Sequence, residues 1–193
     1  YFYYVNSGDP NAANTAVKVW QNTTTLRSIN AKGTINASGA DYAEYMTKAG
    51  DFNAAKGDVV GVDANGKLTN VFADAVSFVV KSTNPSYVGG DTWGDEDAIG
   101  RQPDENAPQA DKDAFNAKLE AARQTVDRIA FAGQVPVNVM GATAGQYIIP
   151  VDDNGAIKGI AVSNPTFEQY QNAVGKVIAI ETDGRARIIV KVA

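Results

Sequence analysis

Cysteine and histidine are both absent from the 193 residues. Without them there is no Ser-His-Asp or Cys-His nucleophile system, no cysteine-ligated zinc and no disulfide framework. Any chemistry falls to carboxylates, lysine, tyrosine or hydroxyls. Long apolar runs are missing too: none approaches the roughly 20 residues of a membrane helix, and no basic-then-apolar start marks a signal peptide. Membrane insertion is not expected. Clustered positive charge is the third absence. Seventeen Lys and Arg stand against 22 Asp and Glu, a formal charge of −5, and the basic residues are scattered. Nothing supplies the phosphate-neutralising surface that nucleic acid requires.

What remains is ordinary globular composition, 44% hydrophobic and 20% charged, sufficient for one good-sized domain or two small ones. The opening Tyr1-Phe2-Tyr3-Tyr4-Val5 reads as a strand joined midway, so a longer polypeptide is expected. Residues 1–40 are poor in charge and rich in Asn, Thr, Ser and Ala. Their apolar positions Val17, Val19, Leu26, Ile29 and Ile35 are separated by turn-formers. Short strands and turns follow, packed on the next domain or on identical chains, because so little apolar surface cannot hold a fold alone.

From Gly57 onward the pattern is denser. Asp58–Asp63, a turn at Asn65-Gly66 and a strand from Leu68 predict a hairpin, and Ala75–Lys81 a buried third strand. Residues 82–110, crowded with Pro, Gly and acidic side chains, predict an excursion loop with no regular element. Asp111 caps a predicted helix over about 111–128, where Phe115, Leu119, Ala122 and Val126 make one apolar stripe. Strands follow at Ile129–Phe131, Gln134–Val139, Tyr147–Val151, Ala156–Val162, Lys176–Glu181 and Arg185–Val192. The expected fold class is mainly β: an antiparallel sandwich or barrel with one inserted helix, preceded by a β-rich fibre segment.

Two carboxylates three residues apart stand out in Gly39-Ala40-Asp41-Tyr42-Ala43-Glu44-Tyr45. In a strand, positions i and i+3 face opposite ways, so Asp41 and Glu44 cooperate only if the backbone turns there. By spacing alone they read as an N-cap and its capping-box partner. The acidic residues Asp91, Asp95, Glu96, Asp97, Asp104 and Glu105 lack the spacing of a calcium loop and read as a solvated surface, so no metal is expected. Gly89-Gly90 lacks the Lys-Ser/Thr and helix start of a phosphate loop, and no cofactor is expected. Tyr87 and Trp93 offer a weak binding platform for a sugar ring, beside their commoner role of anchoring a loop.

The stretch Gly39–Tyr45 closely resembles the junction motif of the intramolecular-chaperone autoproteolytic domain, found at the C-termini of bacteriophage tail spikes, pre-neck appendage proteins and tail fibres. Asn84-Pro85-Ser86-Tyr87-Val88-Gly89 with Trp93-Gly94 is similar to that family's irregular loop. Gly57-Asp58-Val59-Val60 is similar to its first hairpin, and Val135-Pro136-Val137, Gly159-Ile160-Ala161 and Val174-Gly175-Lys176 to its closing strands. The resemblance covers about residues 39–193 and divides the chain into a fibre end over 1–40 and a chaperone and autoprocessing domain over 41–193. It implies a homotrimer that cuts itself once at Ala40–Asp41 with the acidic pair Asp41 and Glu44. Such a protein is made in the host cytoplasm, resides in the virion and acts outside cells. The alternative it leaves open is an uncut trimeric tip that binds a host surface receptor.

Overall fold

The computed structural model describes residues 2–4, 17–19, 21–90, 99–104 and 106–191. The chain divides into two compact units, one of residues 1–37 with 92–122 and one of 38–91 with 123–193. In the first, β1 (Phe2–Tyr4) and β2 (Val17–Val19) form an antiparallel pair. Residues 21–37 carry no helix or strand and are exposed throughout, with Leu26, Ile29 and Ile35 each about two-thirds or more in solvent. Helix α1 (Gln109–Gln124) buries Phe115 and Leu119 against Ile99 and Ala122.

Ten strands of the second unit make one predominantly antiparallel, curled sheet: β3 (Asp41–Thr47), β4 (Val59–Asp63), β5 (Leu68–Thr69), β6 (Ala75–Lys81), β7 (Pro85–Gly89), β8 (Val126–Met140), β9 (Tyr147–Asp153), β10 (Ala156–Val162), β11 (Gly175–Ile180) and β12 (Arg185–Val190). The main path runs β10-β9-β11-β12-β8-β6-β4-β5, with β3 joined to β8 and β7 to β3. Isolated bridges Val71–Ala156 and Lys48–Leu68 tie its distant parts together. The expected class, an antiparallel β architecture with one main helix, is the observed one. Both Asn-Gly pairs sit in hairpin turns. At Asp153-Asn154-Gly155-Ala156 the two central residues have φ of 56° and 89°, the left-handed geometry that a two-residue hairpin needs.

Neighbouring apolar residues on the central strands point to opposite faces and fill two cores. Val59, Val80 and Ala130 join the large cluster with Val135, Val137, Ile148, Val177 and Ile188, whereas Val60, Val79 and Ile129 join Leu68, Met46 and Phe52. Burial on both faces explains why these strands read as continuous apolar runs rather than alternating ones. Each fully buried Val or Ile contributes about 1.5–3 kcal/mol.

Two sequence expectations are corrected. Residues 82–110 are not free of regular structure, because Pro85–Gly89 is a strand lying parallel to β3. Pro85 is tolerated at its first position, and β7 pairs on one side only, so the missing proline N–H breaks no ladder. The helix spans Gln109–Gln124 rather than about 111–128. Val126, counted in its stripe, instead opens β8 opposite Thr47, where β-branched side chains and ladder pairing outweigh helical spacing.

Candidate functional site

The acidic pair of the junction motif lies on β3, so it forms neither a capping box nor a turn. Strand alternation places Asp41 with Ala43 on the buried face, and Tyr42 with Glu44 on the other. Within one chain the two carboxylates therefore face apart. The bulges beside them fall on the partner strands, at Ser86 and Phe131, and leave the alternation of β3 intact.

The peptide between Ala40 and Asp41 sits at a boundary. Ala40 is exposed and follows the exposed segment, whereas Asp41 is 2% exposed. Ala40 N–H donates to Asn84 O at 3.1 Å, and Ala40 O accepts from Gln134 N–H at 3.1 Å. Two glycines permit this clamp. A Cβ on Gly39 would stand 2.2 Å from the Pro85 carbonyl carbon, and one on Gly133 only 2.4 Å from Ala40 O. Gly133 also has φ of +104°, a region essentially reserved for glycine. One residue further on, Ser86 Oγ donates to Asp41 O at 3.0 Å.

Burial raises the Asp41 carboxyl above the usual aspartate range. The Ser82 hydroxyl, the Arg128 guanidinium and the residue's own backbone N–H pull it back down. Ser82 acts on the carboxyl from outside hydrogen-bond geometry, since Asp41 Oδ2 and Ser82 Oγ each lack a hydrogen-bond partner. Asp41 thus favours its protonated form more than an exposed aspartate does.

On the opposite face, Tyr42 donates its hydroxyl to Glu44, and its ring stacks on Tyr87 at 5.5 Å between centroids and 16° between planes. The Glu44 bond raises the Tyr42 phenol, because a carboxylate holds that proton. Gly89 leaves the space this pair occupies: a Cβ there would be 3.3 Å from both Glu44 Cγ and Tyr42 Oη. Tyr87 is 64% exposed. Trp93, its expected companion, lies outside the described residues, as do Asp91, Asp95, Glu96, Asp97 and Glu105. Among the described residues no three acidic side chains gather as metal ligands, and no helix is long and apolar enough to cross a membrane.

Ser82, Ser86, Arg128, Gly133 and Gln134 were not legible as parts of this site. They stand more than 35 positions from Asp41 in the chain, and only strand pairing brings them together.

A curled antiparallel sheet of this design is also the fold of a bacteriophage protein. Its backbone is similar to the crystal structure of pre-mature bacteriophage phi29 gene product 12, with a TM-score of 0.53 and 16% identity over 89% of this chain. That match covers 24% of the phage protein, so the chain spans about a quarter of its length. The C-terminal fragment of the same phage protein also matches, at 17% identity and a TM-score of 0.44, over 79% of this chain and all of the fragment. No protein-family model and no curated protein matches the sequence.

Proposed function

We propose that this chain is the C-terminal assembly domain of a phage tail fibre or spike, that it trimerises, and that it cuts itself once at Ala40–Asp41. The observation that carries the reading is the buried Asp41, its carboxyl pushed up by burial, immediately after an exposed residue and at a peptide whose carbonyl accepts from Gln134 N–H. The fold shared with a phage protein supports the setting.

In this reading water attacks the Ala40 carbonyl carbon from the exposed side. Gln134 N–H steadies the developing oxyanion, and the Asp41 carboxyl protonates its own departing nitrogen. A base must receive the proton of the water. Since Glu44 faces away from Asp41 within its own chain, the acting Glu44 belongs to a neighbouring copy, and the cut waits for the trimer. Intact mass tests this directly. Wild-type chain incubated as an oligomer yields two fragments meeting at Ala40–Asp41, and Glu44→Gln yields none. Oligomers mixed from Asp41→Asn and Glu44→Gln chains cut only the Glu44→Gln chains. One uncut wild-type mass at every time point refutes the reading.

A second reading, an uncut receptor-binding tip, draws on the exposed Tyr87 ring. It expects Tyr87→Ala to lower adsorption of the fibre to host cells by roughly tenfold, the effect of losing one aromatic anchor. Pull-down of the fibre by cells is the measurement, and unchanged adsorption removes Tyr87 from the surface that binds.

A further inference from the structure

We propose that Ser82 is the positioning residue of this cut, the buried hydroxyl that holds the Asp41 carboxyl against its own peptide nitrogen and changes hydrogen-bond roles with it as the proton leaves. The inference rests on the cutting reading above and names a residue that the junction motif does not contain.

Ser82 directly follows β6 and is 1% exposed. Its backbone is firmly held, with its N–H donating to Arg128 O at 2.8 Å. The preceding Lys81 is anchored on the far face by Asp127 at 2.5 Å and by Ala54 O at 2.7 Å. Around Asp41, β8 contributes the Arg128 guanidinium, among the described residues the one charged group acting on the carboxyl, while the Ser86 hydroxyl of β7 is committed to the Asp41 carbonyl. Ser82 Oγ is left facing the carboxyl, and both it and Asp41 Oδ2 are buried without partners.

Two such atoms side by side are costly for a fold to keep, and in native proteins an orphaned buried polar group calls for an explanation. For this role, rotation about the Ser82 Cα–Cβ bond must join them. A hydroxyl accepts from a carboxylic acid and donates to a carboxylate, so it stays partnered in both states. In the reaction, the oxygen of water bonds to the Ala40 carbonyl carbon as the base takes one water proton. The C–N bond then breaks, its electron pair goes to the Asp41 nitrogen, and that nitrogen takes the Asp41 carboxyl proton. An Ala40 carboxyl and an Asp41 amino terminus result. The Asp41 carboxylate left behind is the species Ser82 stabilises by turning from acceptor to donor.

The test is the rate of cutting against pH, followed by intact mass for wild type, Ser82→Ala and Ser82→Thr. Cutting falls as pH rises through the ionisation of Asp41. Loss of a donor to the carboxylate moves that falling limb in Ser82→Ala to higher pH by roughly half a unit to one unit. Ser82→Thr keeps the hydroxyl and restores the wild-type limb. A residue serving packing alone would change the rate or the stability and leave the limb in place. An unmoved limb in Ser82→Ala, or a limb that moves equally in Ser82→Thr, overturns the inference while leaving the cut intact. A wild-type chain uncut at every pH overturns the cutting reading and this inference with it.

Discussion

Asp41→Asn is expected to keep the chain at a single intact mass and, at pH 7, to make it more stable than wild type. Under the proposed cut, the first effect is the loss of the proton donor at the leaving nitrogen, a step worth on the order of 10²- to 10⁴-fold in rate. The second follows from burial. Asp41 is 2% exposed and its carboxyl is raised above the ordinary value of 3.8. As pH rises past 3.8, the unfolded chain releases this proton while the folded chain retains it. Stability therefore declines with pH until the folded carboxyl also ionises, and is level above that. Asparagine carries no such proton, and its amide stands where Ser82 Oγ can accept from it. The advantage of Asp41→Asn should grow as pH rises above 3.8 and disappear as pH falls toward it. Urea midpoints at a series of pH values measure it. A variant less stable than wild type at pH 7 would mean that Arg128 and Ser82 outweigh desolvation, and Asp41 would then be an ordinary paired carboxylate.

Gly133→Ala is expected to be strongly damaging, because strain and collision act together there. Its φ of +104° is strained for any residue with a Cβ, and that Cβ would lie 2.4 Å from Ala40 O and 2.9 Å from Asp41 Cα. Both contacts are backbone and have no side-chain rotamer with which to yield. The combined cost is roughly 2–4 kcal/mol, read as a lower urea midpoint. Relief of the clash also pushes Ala40 O away from Gln134 N–H, so the cut slows by more than the loss of folded protein explains. Gly141, which also has positive φ but open space at its Cβ position, is the control: alanine there carries the backbone strain without the collision. Equal effects at the two positions would remove the clamp from the account.

How much of this was legible beforehand depended on how local the cause was. Asn65-Gly66 and Asn154-Gly155 announced their hairpins because left-handed φ at a turn is a property of the residues themselves. The apolar runs at Val59-Val60 and Val79-Val80 announced buried strands, since only a sheet covered on both faces accommodates them. Asp41 and Glu44 were visible as a pair of acids. Whether they met was not visible, because Asp41-Tyr42-Ala43-Glu44 fits a capped turn as well as a strand. Pro85–Gly89 was equally ambiguous, its breaker residues outweighed only by the ladder that β3 offers.

By itself, then, the sequence determined the chemistry available to this protein: no thiol, no imidazole, an acidic motif at a polar-to-apolar transition, and strands enough for a β fold. Tertiary structure alone decided how that chemistry is arranged. Pairing of β3 between β7 and β8 sent Asp41 inward and Glu44 outward, brought Ser82 and Arg128 to the buried carboxyl, and set Gly133 and Gln134 against the Ala40 carbonyl. The reason is that a side chain's face follows from strand register, and register is a property of contacts between distant segments.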